Sequence, residues 1–266
     1  MHADVAALMY AARILALVPH SDDEIVGAAA AIERARAQGS KVFAAYLTDG
    51  VPARELLWPW ARGNRETRAQ ARWAEALAVA ATLGVQPVLQ QTLATRMLRD
   101  DLGPTRARLI AALAEHQIDM LWVPAYEGGH QDHDAANCLA STLREAVAVW
   151  EFAEYHHHEG RIGLNRFISP AANELTLSLT KVEQQRKREL LAMYPSERGN
   201  LSYVGTQAEQ FRPLASYDYC VPAHAGKTFY QRFQWVPWHP RIDRTQPHEV
   251  CLSLVSFLAE VRSLKK

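Results

Sequence analysis

The sequence has little cysteine, no surplus of either charge and no long apolar run. Its three cysteines, Cys138, Cys220 and Cys251, are widely spaced and odd in number, which excludes a cysteine-rich zinc knuckle and favours reduced thiols in the cytosol. Lysine plus arginine and aspartate plus glutamate both total 29, so the chain has no basic field that would attract nucleic acid. No apolar stretch is long enough to span a bilayer, and residues 1–10 lack the pattern of a signal peptide. We therefore expect a cytoplasmic protein with no transmembrane segment and no nucleic-acid partner.

Predicted strands and helices alternate along the chain. The length of 266 residues and the hydrophobic fraction of 48% suit one α/β domain with a sizeable core. The predicted strands are Arg13–Val18, Val42–Thr48, Pro87–Gln91 and Asp119–Pro124, and the predicted helices are Asp22–Gln38, Glu66–Leu83, Thr105–His116, Asp134–Val149, Lys181–Met193 and Val250–Leu264. This alternation predicts a Rossmann-like α/β fold, with a mostly parallel sheet and helices on both faces. We expect residues 1–266 to form a single domain, with an α/β core to about residue 195, followed by loops, short elements and a terminal helix that wall the functional site.

A histidine and three carboxylates follow the first predicted strand, in the segment ILALVPHSDDE. His20, Asp22 and Asp23 would lie at a strand-to-helix turn, where open α/β sheets bind ligands. Ionised groups crowded there lose hydration, and a bound cation would offset that loss. Another interpretation is that Ser21 and Glu24 form a capping box and that the acidic residues suit the helix dipole. That interpretation explains Glu24 but not His20.

A second group of histidines and aspartates follows the fourth predicted strand, in the segment YEGGHQDHDAAN. Its glycine pair predicts a turn. His130 and His133 are three residues apart, so a helix would place them on one face, with Asp132 between them in sequence. Together with His20 and Asp23, either histidine would complete a set of three nitrogen or oxygen ligands with an open fourth position. That is the arrangement of a catalytic zinc site.

The two segments resemble the LmbE/PIG-L family of metal-dependent de-N-acetylases, which remove acetyl groups from substrates that contain N-acetylglucosamine. The family's motifs are matched by Pro19-His20-Ser21-Asp22-Asp23-Glu24 and His130-Gln131-Asp132-His133, with Ser21 and Gln131 where the family usually has proline. By motif position, the resemblance implies that His20, Asp23 and His133 bind the metal. It also implies that Asp22 is the general base and that His130, helped by Asp132, stabilises the oxyanion. The metal would be Zn²⁺, with Fe²⁺ as the alternative, because histidine and aspartate ligands suit both.

Contacts with the substrate are implied by the resemblance and by a pair of tryptophans. Thr48-Asp49-Gly50 and the Arg72-x-x-Glu75 pattern also match the family, whose arginine contacts the sugar. Trp58 and Trp60 follow Gly50 closely, and hence lie near the mouth of the predicted site. There they would either contact substrate or anchor the loop. The family's substrate-contacting aspartate in the loop after the third strand has no clear counterpart in this sequence.

Three consecutive histidines, His156 to His158, also look like metal ligands. Neighbouring residues on a strand point to opposite faces, however, which disfavours a second metal there.

The predicted function is hydrolysis of a linear amide by a metal-activated water. The substrate would be a small-molecule N-acetylated sugar or glycoconjugate that loses its N-acetyl group. An amidase of the same fold acting on a non-sugar amide is one alternative, and a non-catalytic metal- or ligand-binding protein is another. The sequence leaves the oligomeric state open, including a homo-oligomer.

Overall fold

The computed structural model describes residues 9–264. Residues 1–8, on which part of the expectation about a signal peptide depends, lie outside this range. The strands are β1 Arg13–Val18, β2 Lys41–Tyr46, β3 Gln86–Gln90, β4 Met120–Pro124, β5 Ala148–Phe152, β6 Tyr155–His158, β7 Arg161–Leu164, β8 Leu175–Ser178 and β9 Ala208–Pro213. The α-helices are α1 Asp23–Ala37, α2 Arg65–Leu83, α3 Leu102–Glu115, α4 Gln131–Ser141, α5 Lys181–Ala192, α6 Arg198–Leu201 and α7 Pro247–Ser263. Short 3₁₀ helices lie at Arg54–Leu56, Pro59–Asn64, Leu98–Asp100, Pro195–Glu197 and Phe229–Gln231.

Seven strands form the central sheet, in the order β3-β2-β1-β4-β5-β9-β8. The first five strands in this order are parallel, whereas β9 runs antiparallel to both β5 and β8. Strands β6 and β7 form a separate antiparallel hairpin. The prediction of an α/β fold with a mostly parallel sheet is confirmed.

Alternate residues of β1 pack into two different cores. Ile14, Ala16 and Val18 belong to a core that also contains apolar residues of α1, α2 and α5. Leu15 and Leu17 belong to a core on the other face, shared with α3, α4 and α7. A parallel strand covered on both faces must be apolar at every position, which explains the uninterrupted run at the start of the chain.

The strand order reverses between β1 and β4. Strands β2 and β3 lie on one side of this pair and β5 on the other. In register, Ile14 pairs with Met120 and Ala16 with Trp122, so the carboxyl ends of β1 and β4 finish at the same edge. A reversal of this kind opens a crevice at that edge. The segments that follow β1 and β4, which carry the two motifs, therefore meet there.

The prediction of a helix over Asp134–Val149 is wrong in its second half. Helix α4 ends at Ser141, and Ala148–Phe152 forms β5, which pairs with β4 and β9. Alanine and valine continue the apolar spacing of a helix, but the β-branched and aromatic residues here fill a buried strand. The region beyond residue 195, expected to hold loops, short elements and a terminal helix outside the α/β core, contributes β9 to the central sheet.

Cys138, Cys220 and Cys251 are free thiols. Within residues 9–264, no helix combines the length and apolarity needed to cross a membrane.

Candidate metal centre and active site

The structure brings His20, Asp23 and His133 together at the crevice between β1 and β4. Nδ1 of His20 and Nε2 of His133 each lie 3.3 Å from Oδ2 of Asp23, and the two nitrogens are 3.2 Å apart. All three residues are buried. Ligand atoms of a tetrahedral zinc ion, each about 2.0–2.1 Å from the metal, stand about 3.3 Å from one another. The three side chains therefore fit a zinc or ferrous ion with one open coordination position.

A carboxylate lies behind each of the two histidines. Nε2 of His20 makes a 3.0 Å hydrogen bond with Oδ2 of Asp132, and Nδ1 of His133 lies 3.4 Å from Oε2 of Glu154. Carboxylates in such positions fix the orientation of a ligand ring and increase its basicity. Both oxygens of Glu154 are buried without a hydrogen-bond partner among the described residues. A buried carboxylate without a hydrogen-bond partner is costly, and a cation bound at the neighbouring candidate ligand would reduce that cost.

The ligand residues themselves show how strongly this pocket favours positive charge. Burial alone would lower the pKa of His20, but Asp23 and Asp132 raise it to about 10. Burial likewise opposes ionisation of Asp23, yet His133 and His20 bring its pKa well below the ordinary value. Protonated His20 thus supplies positive charge that a divalent ion would supply instead.

The turn that carries Asp22 and Asp23 is held by its own backbone. The amides of these two aspartates donate to the carbonyl of His20 at 2.8 and 3.1 Å, and the amide of His20 donates to Oδ2 of Asp23 at 2.7 Å. Asp22 occupies the N-cap position of α1 without a side-chain capping bond, so the capping box considered for Ser21 and Glu24 does not form. Glu24 instead points into the core, where it accepts hydrogen bonds from two tyrosine hydroxyls and where burial raises its pKa to about 7.

A buried ion pair anchors α1 one turn beyond this segment. Nζ of Lys187 donates to Oε1 of Glu209 and to the carbonyl of Val26, both at 2.9 Å. The carboxylate of Glu209 accepts from the amides of Ala30 and Ala31. Lys187 and Glu209 are at most 1% exposed. Because side chains from α5 and β9 bond directly to the backbone of α1, the helix that carries Asp23 is fixed to the sheet.

Asp22 lies beside the candidate ligands but outside their group. Among residues 9–264, it belongs to neither set of three potential ligands that approach within 4.8 Å of one another. Its Oδ2 lies 3.5 Å from Nη2 of Arg72. Burial raises the pKa of Asp22 well above its ordinary value, and the nearby guanidinium of Arg72 opposes this rise. Asp22 therefore lies beside the candidate centre without belonging to either group of potential ligands.

His130 is the N-cap residue of α4, and the helix fixes its tautomer. Its Nδ1 accepts a 3.1 Å hydrogen bond from the amide of Asp132, so a neutral His130 carries its proton on Nε2. Burial, followed by the charge of His20, lowers the pKa of His130 well below its usual value. The ring is therefore a neutral donor. The carboxylate of Asp132 lies 3.6 Å from Nδ1 of His130 and forms its hydrogen bond with His20, so the link expected from Asp132 to His130 runs through the backbone.

The loop after β3 supplies donors to Asp132. The amide of Arg96 donates to Oδ2 at 2.6 Å, that of Leu98 to Oδ1 at 3.2 Å, and the hydroxyl of Thr95 to Oδ2 at 3.1 Å. Burial opposes the charge of Asp132, but the hydrogen bond from His20, the neighbouring histidine rings and the amide of Arg96 keep its pKa well below the ordinary value. Sequence reasoning found no functional residue in this loop. Two of its three donors are backbone amides, which leave no trace in residue type.

Arg72 is buried at the same site, between two carboxylates. Besides Asp22, its guanidinium pairs with Glu197 and donates to the carbonyl of Gly50 at 3.0 Å. Its Nε is buried and has no partner among the described residues. Glu197 lies in the region after residue 195, which we expected to wall the site, and its sequence context contains no motif that predicts a functional role.

Trp58, Trp60 and Trp238 form an exposed aromatic patch. The rings of Trp58 and Trp60 are stacked, with centroids 4.9 Å apart and planes 8° from parallel, and Trp58 meets the edge of Trp238 at 4.6 Å. Trp60 is 75% and Trp238 45% exposed. The segment after Trp238 is tied to the loop at Asp132, because Arg96 donates to the carbonyl of Pro240. The patch therefore lies on the same side of the molecule as the candidate centre.

The run of three histidines lies on β6, outside the candidate centre. His156 is buried with Nδ1 3.6 Å from Oε2 of Glu127, and His157 contacts the carbonyl of Lys227. In the described part of the chain, the groups of three or more potential ligands are His20–Asp23–His133 and His20–His130–Asp132. Neither group includes a residue of this run.

Comparison with known proteins gives one family and several related folds. Residues 15–143 match the family model described as GlcNAc-PI de-N-acetylase, PIG-L. No curated protein sequence matches the chain significantly. Among solved structures, the A40926 pseudoaglycone deacetylase Dbv21 aligns with a TM-score of 0.59 at 17% identity, over 77% of this chain and 99% of that one. The N,N'-diacetylchitobiose deacetylase of Pyrococcus horikoshii aligns with 0.52 at 18%, over 76% and 83%.

The same fold also serves a different reaction. The 4-carboxy-2-hydroxymuconate hydratase GalB of Pseudomonas putida KT2440 aligns with a TM-score of 0.50 at 16% identity, over 78% of this chain and 98% of that one. At such identities the structural matches establish the fold, whereas the family match covers both motif segments. The resemblance found in the sequence is confirmed: residues 15–143, which include both motif segments, match the PIG-L, or LmbE-like, family.

Proposed function

We propose that this protein is a metal-dependent hydrolase that removes the N-acetyl group from a substrate containing N-acetylglucosamine. The main support is the triangle of ligand atoms on His20, Asp23 and His133, with Asp22 and His130 beside it. Three nitrogen or oxygen ligands and an open position are typical of catalytic zinc sites, whereas structural sites are closed. The family match points to the same reaction.

We propose distinct roles for the residues around the metal. Zinc or ferrous iron, held by His20, Asp23 and His133, would act as a Lewis acid and lower the pKa of a water to about 7. Asp22 accepts the proton of the attacking water and later gives it to the leaving nitrogen as the carbon–nitrogen bond breaks. His130 donates a hydrogen bond from its Nε2–H group to the carbonyl oxygen as negative charge develops there, and keeps its proton throughout. The products are acetate and a free amine.

Arg72 and the aromatic patch are proposed to bind the rest of the substrate. Arg72 is held rigidly by Asp22 and Glu197, and a fixed guanidinium can orient sugar hydroxyls. Trp58 and Trp60 present stacked rings, of which Trp58 is half-buried and Trp60 is exposed, and such a surface suits an apolar or aromatic group attached to the sugar better than a free monosaccharide. We therefore propose a glycoconjugate substrate and, from the composition, a cytoplasmic location.

A substrate screen tests this proposal. Zinc-loaded protein is incubated with N-acetylglucosamine, N,N'-diacetylchitobiose, aryl N-acetylglucosaminides and N-acetylated amines without a sugar, and acetate release and product mass are measured. Acetate release from the sugar substrates supports the proposal. Release from the sugar-free amides alone would indicate an amidase, and binding without release a non-catalytic protein. A parallel incubation contains 4-carboxy-2-hydroxymuconate. Addition of water to this compound, with no acetate release from the amides, would indicate a hydratase.

A further inference from the structure

Near the candidate centre lies a cation that has no carboxylate partner among residues 9–264. The guanidinium carbon of Arg232 is 3.3 Å from the centroid of the Phe229 ring, and its Nε donates to the carbonyl of Phe229 at 3.1 Å. Within residues 9–264, no carboxylate oxygen lies within 4.0 Å of Arg232, and its two terminal nitrogens donate to none of these residues. By contrast, Arg72 pairs with carboxylates. Among the residues that the structure describes, the two terminal nitrogens of Arg232 therefore have no hydrogen-bond acceptor.

A series of ring contacts connects Arg232 to the candidate centre. The Tyr155 ring lies 5.4 Å from the ring of His133 and 4.6 Å from that of Phe229, centroid to centroid. Tyr203 lies 6.2 Å from Phe229 on the same wall. Phe229, which supports the guanidinium, is therefore one aromatic ring away from a metal ligand. A substrate whose acetamide reaches the centre would have its other parts near this wall.

The surroundings of Arg232 do not compensate its charge. Burial lowers the pKa of Arg232, and the phenols of Tyr203 and Tyr155 only partly oppose that change. A cation partly removed from water and left without an anion is costly, and an incoming anion would offset the cost. Carboxylate and phosphate groups match the planar fork of a guanidinium in two parallel hydrogen bonds.

We infer that Arg232 binds an anionic group of the substrate, a carboxylate or a phosphate, and so determines specificity. The inference rests on the proposed deacetylase function for the identity of the sugar. It goes beyond that function by giving the substrate a negative charge on the side facing Phe229 and Tyr203.

Two matched ligand pairs test the inference and distinguish the two sources of charge. The first pair is para-carboxyphenyl N-acetylglucosaminide and its methyl ester. The second is N-acetylglucosamine with an anomeric phosphate and the corresponding methyl glycoside. Dissociation constants are measured by calorimetry on zinc-loaded wild type, Arg232→Gln and Arg232→Lys, with acetate release followed on the same samples. Arg188→Gln, on the outer face of α5, is the control for an equal change in net charge.

We expect wild type to bind the charged member of one pair roughly 10- to 100-fold more tightly, as a charge-assisted hydrogen-bonded pair allows. Arg232→Gln should abolish that ratio, Arg232→Lys should retain part of it, and Arg188→Gln should retain all of it. The pair that shows the effect identifies carboxylate or phosphate as the ligand. Equal affinities within both pairs in wild type, or a ratio that survives in Arg232→Gln, would overturn the inference.

The two proposals can fail separately. A charge preference that depends on Arg232, without acetate release, would leave the anion site standing and reject the deacetylase function. Acetate release without any charge preference would support the deacetylase function and reject the anion site at Arg232.

Discussion

Oδ2 of Asp132 lies 3.0 Å from Nε2 of His20, while Nδ1 of the same ring faces Asp23 and His133. One histidine ring therefore connects the candidate metal position to a carboxylate from the second motif. That carboxylate also accepts hydrogen bonds from the loop after β3. The two motifs, more than a hundred residues apart in sequence, thus form one hydrogen-bonded unit.

Asp132→Asn should weaken zinc binding by about 10- to 100-fold, because the carboxylate orients the ligand ring and increases its basicity. Competition against a chelating dye measures the affinity. His130→Gln is the matched variant from the same motif. It should keep the metal while turnover falls by about 10²–10³. An unchanged affinity in Asp132→Asn would contradict the first role, and loss of metal from His130→Gln would mean that the roles of His130 and His133 are exchanged.

Changing both Trp58 and Trp60 to alanine should reduce the preference for an aryl N-acetylglucosaminide over free N-acetylglucosamine. The expected change is about tenfold in the ratio of the two kcat/KM values, because stacking on exposed rings is lost. Trp235→Ala is the control. Trp235 is 77% exposed, close to the 75% of Trp60, but its ring makes no contact with the patch among the described residues. An equal loss on both substrates would show that the two tryptophans only support the loop.

Lys187→Met should destabilise the fold by about 3–5 kcal/mol, because it leaves the carboxylate of Glu209 buried without its cation. Urea denaturation measures this loss as a difference in the free energy of unfolding. Lys181→Met, at an exposed position on the same helix, should change it by less than about 0.5 kcal/mol. Similar changes in the free energy of unfolding for the two variants would contradict the role of the Lys187–Glu209 pair in anchoring α1.

Local signals in the sequence were enough for much of this architecture. The apolar run of β1 and the alanine-rich helix after it specify a strand, a turn and a helix by periodicity alone, and the bounds predicted for β1 match the structure. The strand at Ala148–Phe152 was missed because its residues continue the apolar spacing of α4. Only its pairing with β4 distinguishes it from a helix.

The candidate site was predictable where its chemistry is concentrated in motifs. His20 and Asp23 stood out as candidate ligands because histidine and aspartate at strand ends are unusual, whereas the choice of His133 over His130 came from the family resemblance. Glu154 and Glu197 are single acidic residues in ordinary contexts, and the fold alone brings them to His133 and Arg72. The partner of Asp132 could not be read from spacing either, because the choice between His20 and His130 depends on how two distant loops meet.

Glu183→Gln should lower stability at neutral pH and have little effect in acid. Glu183 pairs with both Nε and Nη2 of Arg34, and the hydrogen bond from Arg34 is the main cause that lowers its pKa to about 2. A lowered pKa in the folded state gives stability that is fully present above the unfolded value near 4.5 and is lost as the pH falls through about 2. Since the pair is partly exposed, the cost at neutral pH should be at most about 1 kcal/mol. Urea denaturation of both proteins at neutral pH and in acid tests this, and a constant difference would contradict it.

The most direct test of the central claim is acetate release per bound metal ion, measured on wild type, Asp22→Asn and His133→Ala. Wild type should hold one zinc ion per chain and release acetate from an N-acetylglucosaminide. Asp22→Asn should hold the same metal but lose about 10²–10⁴ of the rate, because an amide cannot accept the proton of the attacking water. His133→Ala should lose the metal and the activity together. Wild-type turnover per metal ion in Asp22→Asn, or full metal content in His133→Ala, would contradict the proposed metal centre and its base.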